Sequence, residues 1–246
     1  MPGKSITSPR IGVCSEIHST VGLIVYEKDD AKKGMVVDCG VGADWEEIKQ
    51  GIIGAGLRVE DITHVLLTHI HQDHIQNLKE FSGAIVITGG QASLLNQQGY
   101  GAAELCKDGV IEIPEVTYVK APIAHTYRDT VYVVDSANEG VVAFLGDLIF
   151  GTQKHFSQEA HIAIDKSASI DPVARYLFAK DLLNTLPGVE KFYAGHNPEG
   201  INREEIKNYA ECLRSQEFLN YLKEWYENRI REMGEEYEKI TSDERL

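Results

Sequence analysis

Residues Thr68 to Ile75 read THIHQDHI, three histidines and an aspartate close behind the apolar run Val65-Leu66-Leu67. Imidazole nitrogen and carboxylate oxygen are donors that zinc and related divalent ions favour, and a catalytic site keeps one coordination position open for water. In an extended segment, side chains two positions apart point the same way, so His69 and His71 can converge on one ion. Asp73 and His74 fall on the turn beyond the strand and can address a second ion beside the first. Three further candidates each stand at a predicted strand exit: His125 in PIAHTY, Asp147 in FLGDLI and His196 in YAGHNP.

Short strands must bring these residues together. Val21–Tyr26 and Met35–Val37 read as strands flanking the polar turn KDDAKKG, and a helix is predicted over Asp44–Ile53. Val65–Leu67, Ala84–Thr88, Val116–Val119, Val131–Val134, Val141–Leu145 and Lys191–Ala194 follow as strands, with helical or turn segments between them. That order calls for layers of both kinds. VYVVD, SANEG and VVAFLG make a hairpin that goes out and returns, so His125 before its first strand and Asp147 after its second belong at the same end of a sheet. Asp171-Pro172 is a helix start running to about Leu186, and Asn202 with Glu205 resembles a capping box that opens a helical stretch to about Met233. The aromatic residues of that stretch (Tyr209, Phe218, Tyr221, Trp225, Tyr226) are expected to pack against the body or a second subunit, which admits a homodimer. With no repeat or linker, residues 1–246 read as a single domain, residues 202–246 being a C-terminal helical extension.

Taken together, His69, His71 and His125 make one three-histidine site, Asp73, His74 and His196 make a second, and Asp147 can bridge them. Seven ligands imply two divalent ions such as zinc. Two ions about 3.5–4 Å apart can share a hydroxide, lower its pKa towards neutrality, and polarise the carbonyl or phosphoryl oxygen it attacks. Asp73 and Asp147 are the acidic members, assigned to catalysis as well as to metal.

With VVDCG around Asp38, these stretches resemble in order and spacing the five motifs of metallo-β-lactamase-fold hydrolases, from about Val21 to His196. The resemblance implies an α/β chain folded as a four-layer αββα sandwich, a binuclear site at one sheet edge, and Asp38 behind the ligands, orienting a histidine. Members of the family that these motifs resemble use zinc, iron or manganese, and ligand type does not separate these metals. An aspartate at 147 in the bridging slot is similar to glyoxalase II and related thioesterases and lactonases, so the activity implied is cleavage of a small-molecule ester, thioester or lactone by a metal-bridging hydroxide. Acyl-homoserine-lactone lactonases carry a tyrosine three positions beyond that aspartate, where this chain has Phe150, which weakens that one lactonase reading. True metallo-β-lactamases usually place cysteine in the bridging slot, which disfavours β-lactam hydrolysis. Tyr127 and Arg128, just past the third histidine motif, are candidates to assist an oxyanion or bind a substrate carboxylate. The same fold also hosts mononuclear iron persulfide dioxygenases, which bind iron through two histidines and one aspartate, and phosphodiesterases or nucleases.

Bulk properties narrow the partners to a small-molecule substrate. A net charge of −14 repels phosphate backbones and gives no counterion-release term, so nucleic acid is not expected. No run approaches the roughly 18 apolar residues of a membrane span, and the first residues carry no apolar stretch before a small-residue cleavage site, so no membrane association and a cytoplasmic location are expected. Cys14, Cys39, Cys106 and Cys212 form no C-x-x-C pair and read as reduced thiols. His64 is expected to be an ordinary satisfied histidine, while His155 and His161 stand where a pocket wall could form.

Overall fold

The structure, a computed structural model, describes residues 5–6, 19–28, 30–89, 103–105, 116–121, 123–151, 162–163, 166 and 168–243. A short N-terminal strand, β1 (Ser5–Ile6), pairs antiparallel with β2 (Gly22–Lys28), which pairs antiparallel with β3 (Ala31–Val37). In β2, Leu23 and Val25 face one apolar cluster while Ile24 and Tyr26 face another. A strand with period-two side chains and no solvent face must be apolar at every step, which is why its first half reads as a continuous hydrophobic run. Helix α1 (Trp45–Gly54) covers one side through Ile48 and Ile52. The chain then enters β4 (Ile62–Leu67), makes the single turn α2 (Gln72–Ile75), and continues to β5 (Ile85–Thr88) and β6 (Ala103–Leu105). From β3 to β6 every neighbouring pair is parallel.

The second sheet contains β7 (Val116–Lys120), β8 (Thr130–Ser136), β9 (Gly140–Gly146), β10 (Lys191–Ala194) and β11 (Asn197–Asn202), in the spatial order β11-β10-β9-β8-β7. Only β9 and β10 are parallel, and the crossover between them carries helix α3 (Pro172–Thr185). Helices α4 (Arg203–Cys212) and α5 (Gln216–Asp243) follow. Ala143, Leu145 and Phe192 turn outward towards Phe178, Leu182, Ile206, Tyr209, Phe218 and Leu222 of the helices. Tyr132, Val134, Val142, Phe144 and Tyr193 turn inward to meet Ile24, Met35, Val37 and Leu66 of the first sheet. Helix, sheet, sheet and helix therefore stack in four layers, the αββα sandwich that the motifs implied.

Local chemistry explains the ends. Asp171 accepts from the Ala174 amide at 2.9 Å with Pro172 in the first turn, and Asn202 and Glu205 form a reciprocal capping box. Arg203 closes the other end of α3 by donating to the Leu186, Pro187 and Val189 carbonyls at 3.3, 3.1 and 2.7 Å.

Several boundaries differ from expectation. The β2–β3 turn is tighter than KDDAKKG suggested, because Lys28 pairs directly with Ala31 and Asp30 takes a positive φ of 59°. Asn197–Asn202 forms a strand that the sequence does not announce, since its Pro and Gly argue against one; it lies at the sheet edge, where both are tolerated. The C-terminal helical stretch is two helices, broken around Arg214 and Ser215, where the Ser215 hydroxyl accepts from the Phe218 amide at 3.2 Å. Tyr209, Phe218 and Tyr221 are buried as expected, whereas Tyr226, Ile230 and Met233 are exposed. Among the described residues no helix is long and apolar enough to cross a membrane.

A buried tyrosine hydroxyl is among the polar ties that join the two sheets. The Tyr132 hydroxyl of β8 lies 3.0 Å from the Leu67 carbonyl and 3.3 Å from that of Ile87, with its ring fully buried. Replacing it by Phe leaves the packing and removes the donor, so Tyr132→Phe is expected to lower stability by about 1–2 kcal/mol. Urea unfolding should show a lower midpoint at an unchanged slope. An unchanged midpoint would mean that the tie contributes nothing.

Candidate metal centre

All the candidate ligands arise at one end of the sandwich. Asp38 follows β3 and His69 follows β4, a parallel pair of the first sheet; Asp147 follows β9 and His196 follows β10, the parallel pair of the second. Ligand sites in such sheets form beyond the carboxyl ends of parallel strands. His125 lies on the loop that leads into β8, whose start adjoins the end of β9, and the Thr130 amide donates to the Thr68 carbonyl at 2.8 Å. The hairpin geometry read from the sequence therefore holds.

Two groups of side chains result: His69, His71, His125 and Asp147 in one, Asp73, His74, Asp147 and His196 in the other, with the donor atoms of each group within 4.8 Å of one another. Asp147 is common to both. Its Oδ2 lies 3.3 Å from His125 Nε2 and 3.8 Å from His69 Nε2; its Oδ1 lies 3.2 Å from His74 Nε2 and 3.4 Å from His196 Nε2. Asp73 Oδ2 stands 3.7 Å from His74 Nε2 and 3.6 Å from His196 Nε2. The strand ends at Leu67, so His69 and His71 belong to an irregular segment after it, and Asp73 and His74 belong to α2.

The chemistry of these donors fits a pair of divalent cations. His69 Nε2, His74 Nε2 and Asp147 Oδ1 are buried without a hydrogen-bond partner; His74 and Asp147 approach each other closely but not in hydrogen-bonding geometry. Leaving such an atom unpaired costs about 1–3 kcal/mol, which a coordinated cation would offset. Burial lowers the pKa of His69 and His71 and pushes that of His125 down to about 3, so this trio keeps the lone pairs that a metal needs. Burial is the largest influence on His74 and His196 and opposes their charge, but Asp147 together with Asp38 at His74 and Asp73 at His196 outweighs it and their pKa values rise. A cation in that position would take the place of those protons. Despite burial, His74 and His196 hold the Asp147 carboxyl below the usual carboxylate range.

Asp38 holds the centre from behind. It accepts from the Thr68 amide at 2.8 Å, the Thr68 hydroxyl at 2.7 Å and His74 Nδ1 at 2.8 Å, so one carboxylate fixes β4 and the ring of a ligand at once. Its φ of 56° is left-handed, a conformation that Asp and Asn enter more readily than most residues. The His125 loop is pinned by Asp129, which accepts from the Thr126 amide and hydroxyl, each at 2.8 Å. Burial pushes the Asp129 carboxyl up to about 7 in spite of those bonds.

A model of the metallo-beta-lactamase superfamily matches residues 16–91. Metallo-beta-lactamase domain-containing protein 1 of Xenopus laevis is 32% identical over 106 residues, which are 42% of this chain and 44% of that protein; the match spans less than half of its length. A motif mutant of the metallo-beta-lactamase from Cronobacter sakazakii superposes with a TM-score of 0.59 at 16% identity, over 93% of this chain and 96% of that one. MEM-A1, a subclass B3 metallo-beta-lactamase from a soil metagenome, gives 0.57 at 16% identity, over 85% and 91%. The chain has the metallo-beta-lactamase fold.

Within that fold the seven predicted ligands and Asp38 come together, while Tyr127 and Arg128 do not join them. Both are exposed, and among the described residues no hydrogen bond or ion pair links their side chains to the ligands. His64 bonds Thr63 through Nδ1 at 2.8 Å, as an ordinary satisfied histidine does. His18, His155 and His161 lie outside the described residues.

Sequence reasoning did not single out Thr68, Asp129, Gly195 or Phe150 as parts of the centre. Gly195 had a signal, a side-chain-free residue directly before a ligand. A Cβ there would stand 1.8 Å from Asp147 Oδ1, and the Gly195 amide donates to the Gly146 and Ile149 carbonyls at 2.9 and 3.0 Å. Thr68 and Asp129 act through contacts that only the folded chain makes.

Two outcomes follow for a metal-loaded protein. Asp38→Asn keeps the size and the backbone preference but gives up one of the acceptors, and is expected to weaken metal affinity on the order of 10–100-fold in a competition titration with a chelator. Wild-type affinity would show that the carboxylate behind His74 is dispensable. Gly195→Ala should displace Asp147 and cut bound metal, measured by elemental analysis, while far-UV circular dichroism stays unchanged; full occupancy would refute the close-approach argument.

Proposed function

We propose that this protein is a metal-dependent hydrolase with a two-metal centre that cleaves the ester, thioester or lactone bond of a small molecule. The observation that carries this reading is the placement of Asp147, one buried carboxylate whose two oxygens face different groups of histidines. His69, His71 and His125 would hold one cation, Asp73, His74 and His196 the other, and Asp147 would touch both. Bound zinc, or iron or manganese in its place, supplies a water nucleophile activated near neutral pH and Lewis-acid polarisation of the scissile carbonyl.

What the chain itself contributes is orientation and exclusion of water. His69, His74 and His125 are fully buried, whereas Asp73, His71 and His196 are partly exposed, so a substrate approaches from the side of α2 and the β10–β11 turn. Asp38 and Asp129 keep the ligand-bearing segments from relaxing, which preserves a preorganised electrostatic site. Tyr127 and Arg128, exposed beyond the His125 segment, are retained in this proposal as groups that meet a substrate carboxylate as it arrives.

The test is elemental analysis of protein from unsupplemented cells, followed by assays against thioesters, lactones, simple esters and phosphodiesters. Two metal ions per chain and turnover of at least one acyl substrate are expected, with Asp147→Ala losing metal and dropping kcat/KM by on the order of 10²–10³-fold, the scale of removing one preorganised electrostatic group. A single iron per chain with oxygen uptake on a persulfide would replace this reading, and so would cleavage confined to phosphodiesters.

A further inference from the structure

Phe150 is 1% exposed, yet it belongs to none of the three apolar clusters found among the described residues. Its ring instead meets a histidine of each metal group. The centroid lies 5.3 Å from that of His125, edge to face at 87°, and 6.1 Å from that of His196 at 38°. Its carbonyl also accepts from the His196 amide at 2.8 Å. Over the same ring sits the guanidinium of Arg175, with Cζ 4.7 Å from the centroid, on a side chain that is 2% exposed.

Arg175 is tied to both sides of the centre. Its Nη1 donates to the Leu148 carbonyl at 3.4 Å, one residue past the bridging carboxylate. It stands in the first turns of α3, and the segment just before that helix is fastened to the His125 loop: the Asp171 amide donates to the Ala124 carbonyl at 2.7 Å and the Ile170 amide to that of His125 at 3.2 Å. A planar guanidinium stacks flat on an aromatic face and so fixes the tilt of the ring as well as its position. A methionine would fill similar space without the charge over the ring, and a buried charge is costly unless it is well held.

We infer that Arg175 is a positioning residue of the metal centre: acting through the Phe150 ring, it sets the relative placement of His125 and His196, and thereby the separation of the two cation positions. This inference rests on the two-metal reading above.

The experiment compares wild type, Arg175→Met, Arg175→Lys and Phe150→Leu. Each is titrated with cobalt(II) against a competing chelator, recording the visible absorption of the bound ion alongside far-UV circular dichroism. Wild type is expected to take two ions per chain. Arg175→Met should bind on the order of 10–100-fold more weakly and with an altered absorption envelope, the range seen when a group behind a ligand is lost. Arg175→Lys, which keeps a cation over the ring, should recover part of both. If Arg175→Met does not fold, Phe150→Leu removes the aromatic face from the same contact and should show the same weakening. Wild-type affinity and spectrum in whichever of these two variants folds would overturn this inference alone. Fewer than two ions on the wild type would overturn the two-metal reading, and this inference with it.

Discussion

The centre depends on one costly arrangement, a buried carboxylate surrounded by buried imidazoles. Asp147 is 4% exposed and four histidine rings come within 3.8 Å of its oxygens. Transferring such groups from water is unfavourable unless each finds a partner, and the rings do not satisfy one another fully. Bound divalent cations would resolve that conflict, and by the same logic metal binding would contribute to folding free energy as well as to chemistry. The sandwich is what makes the arrangement possible. Two parallel strand pairs, β3 with β4 and β9 with β10, end at the same edge of facing sheets, so residues more than a hundred positions apart are delivered to one place.

Around that centre the backbone is placed as tightly as the ligands. Gly146 takes a φ of 54°, and a Cβ there would lie 2.4 Å from the Thr68 hydroxyl that Asp38 holds. Gly195 presses against Asp147 itself, and the Thr20 amide donates to the Gly195 carbonyl at 2.6 Å from the other sheet. These approaches leave no room for a side chain at either glycine. Small displacements of one ligand segment must therefore be felt by the others, which suits a site whose function is preorganisation.

Much of this was legible in the residues. THIHQDH declares its donors by type and spacing, and the hairpin around SANEG places His125 and Asp147 at one end through strand direction alone. Apolar runs located the buried strands because their two faces both pack. What escaped is of a different kind. The edge strand Asn197–Asn202 looks like a loop because edge positions accept Pro and Gly, and the break before α5 depends on a Ser215 cap inside an otherwise helical pattern. The partners of Asp129 lie close by in sequence, yet Asx-type bonds of this sort are frequent in ordinary turns and do not announce a site. Arg175 gave no signal at all, since an arginine on a helix is normally a solvated one.

Membership in this fold leaves the substrate open, because relatives at 15–16% identity share architecture and not necessarily chemistry. Phe150 illustrates how the chemistry diverges on a constant frame. A tyrosine at that place could offer a hydroxyl to a developing oxyanion, whereas phenylalanine offers only a face and an edge. In this chain a buried guanidinium lies over the ring, and two ligand histidines pack against it, one perpendicular and one tilted. In the proposed hydrolase the ring at this position would therefore brace the ligand histidines rather than touch substrate, and stabilisation of charge on a substrate oxygen would fall to bound cations or to donors nearer the exposed rim.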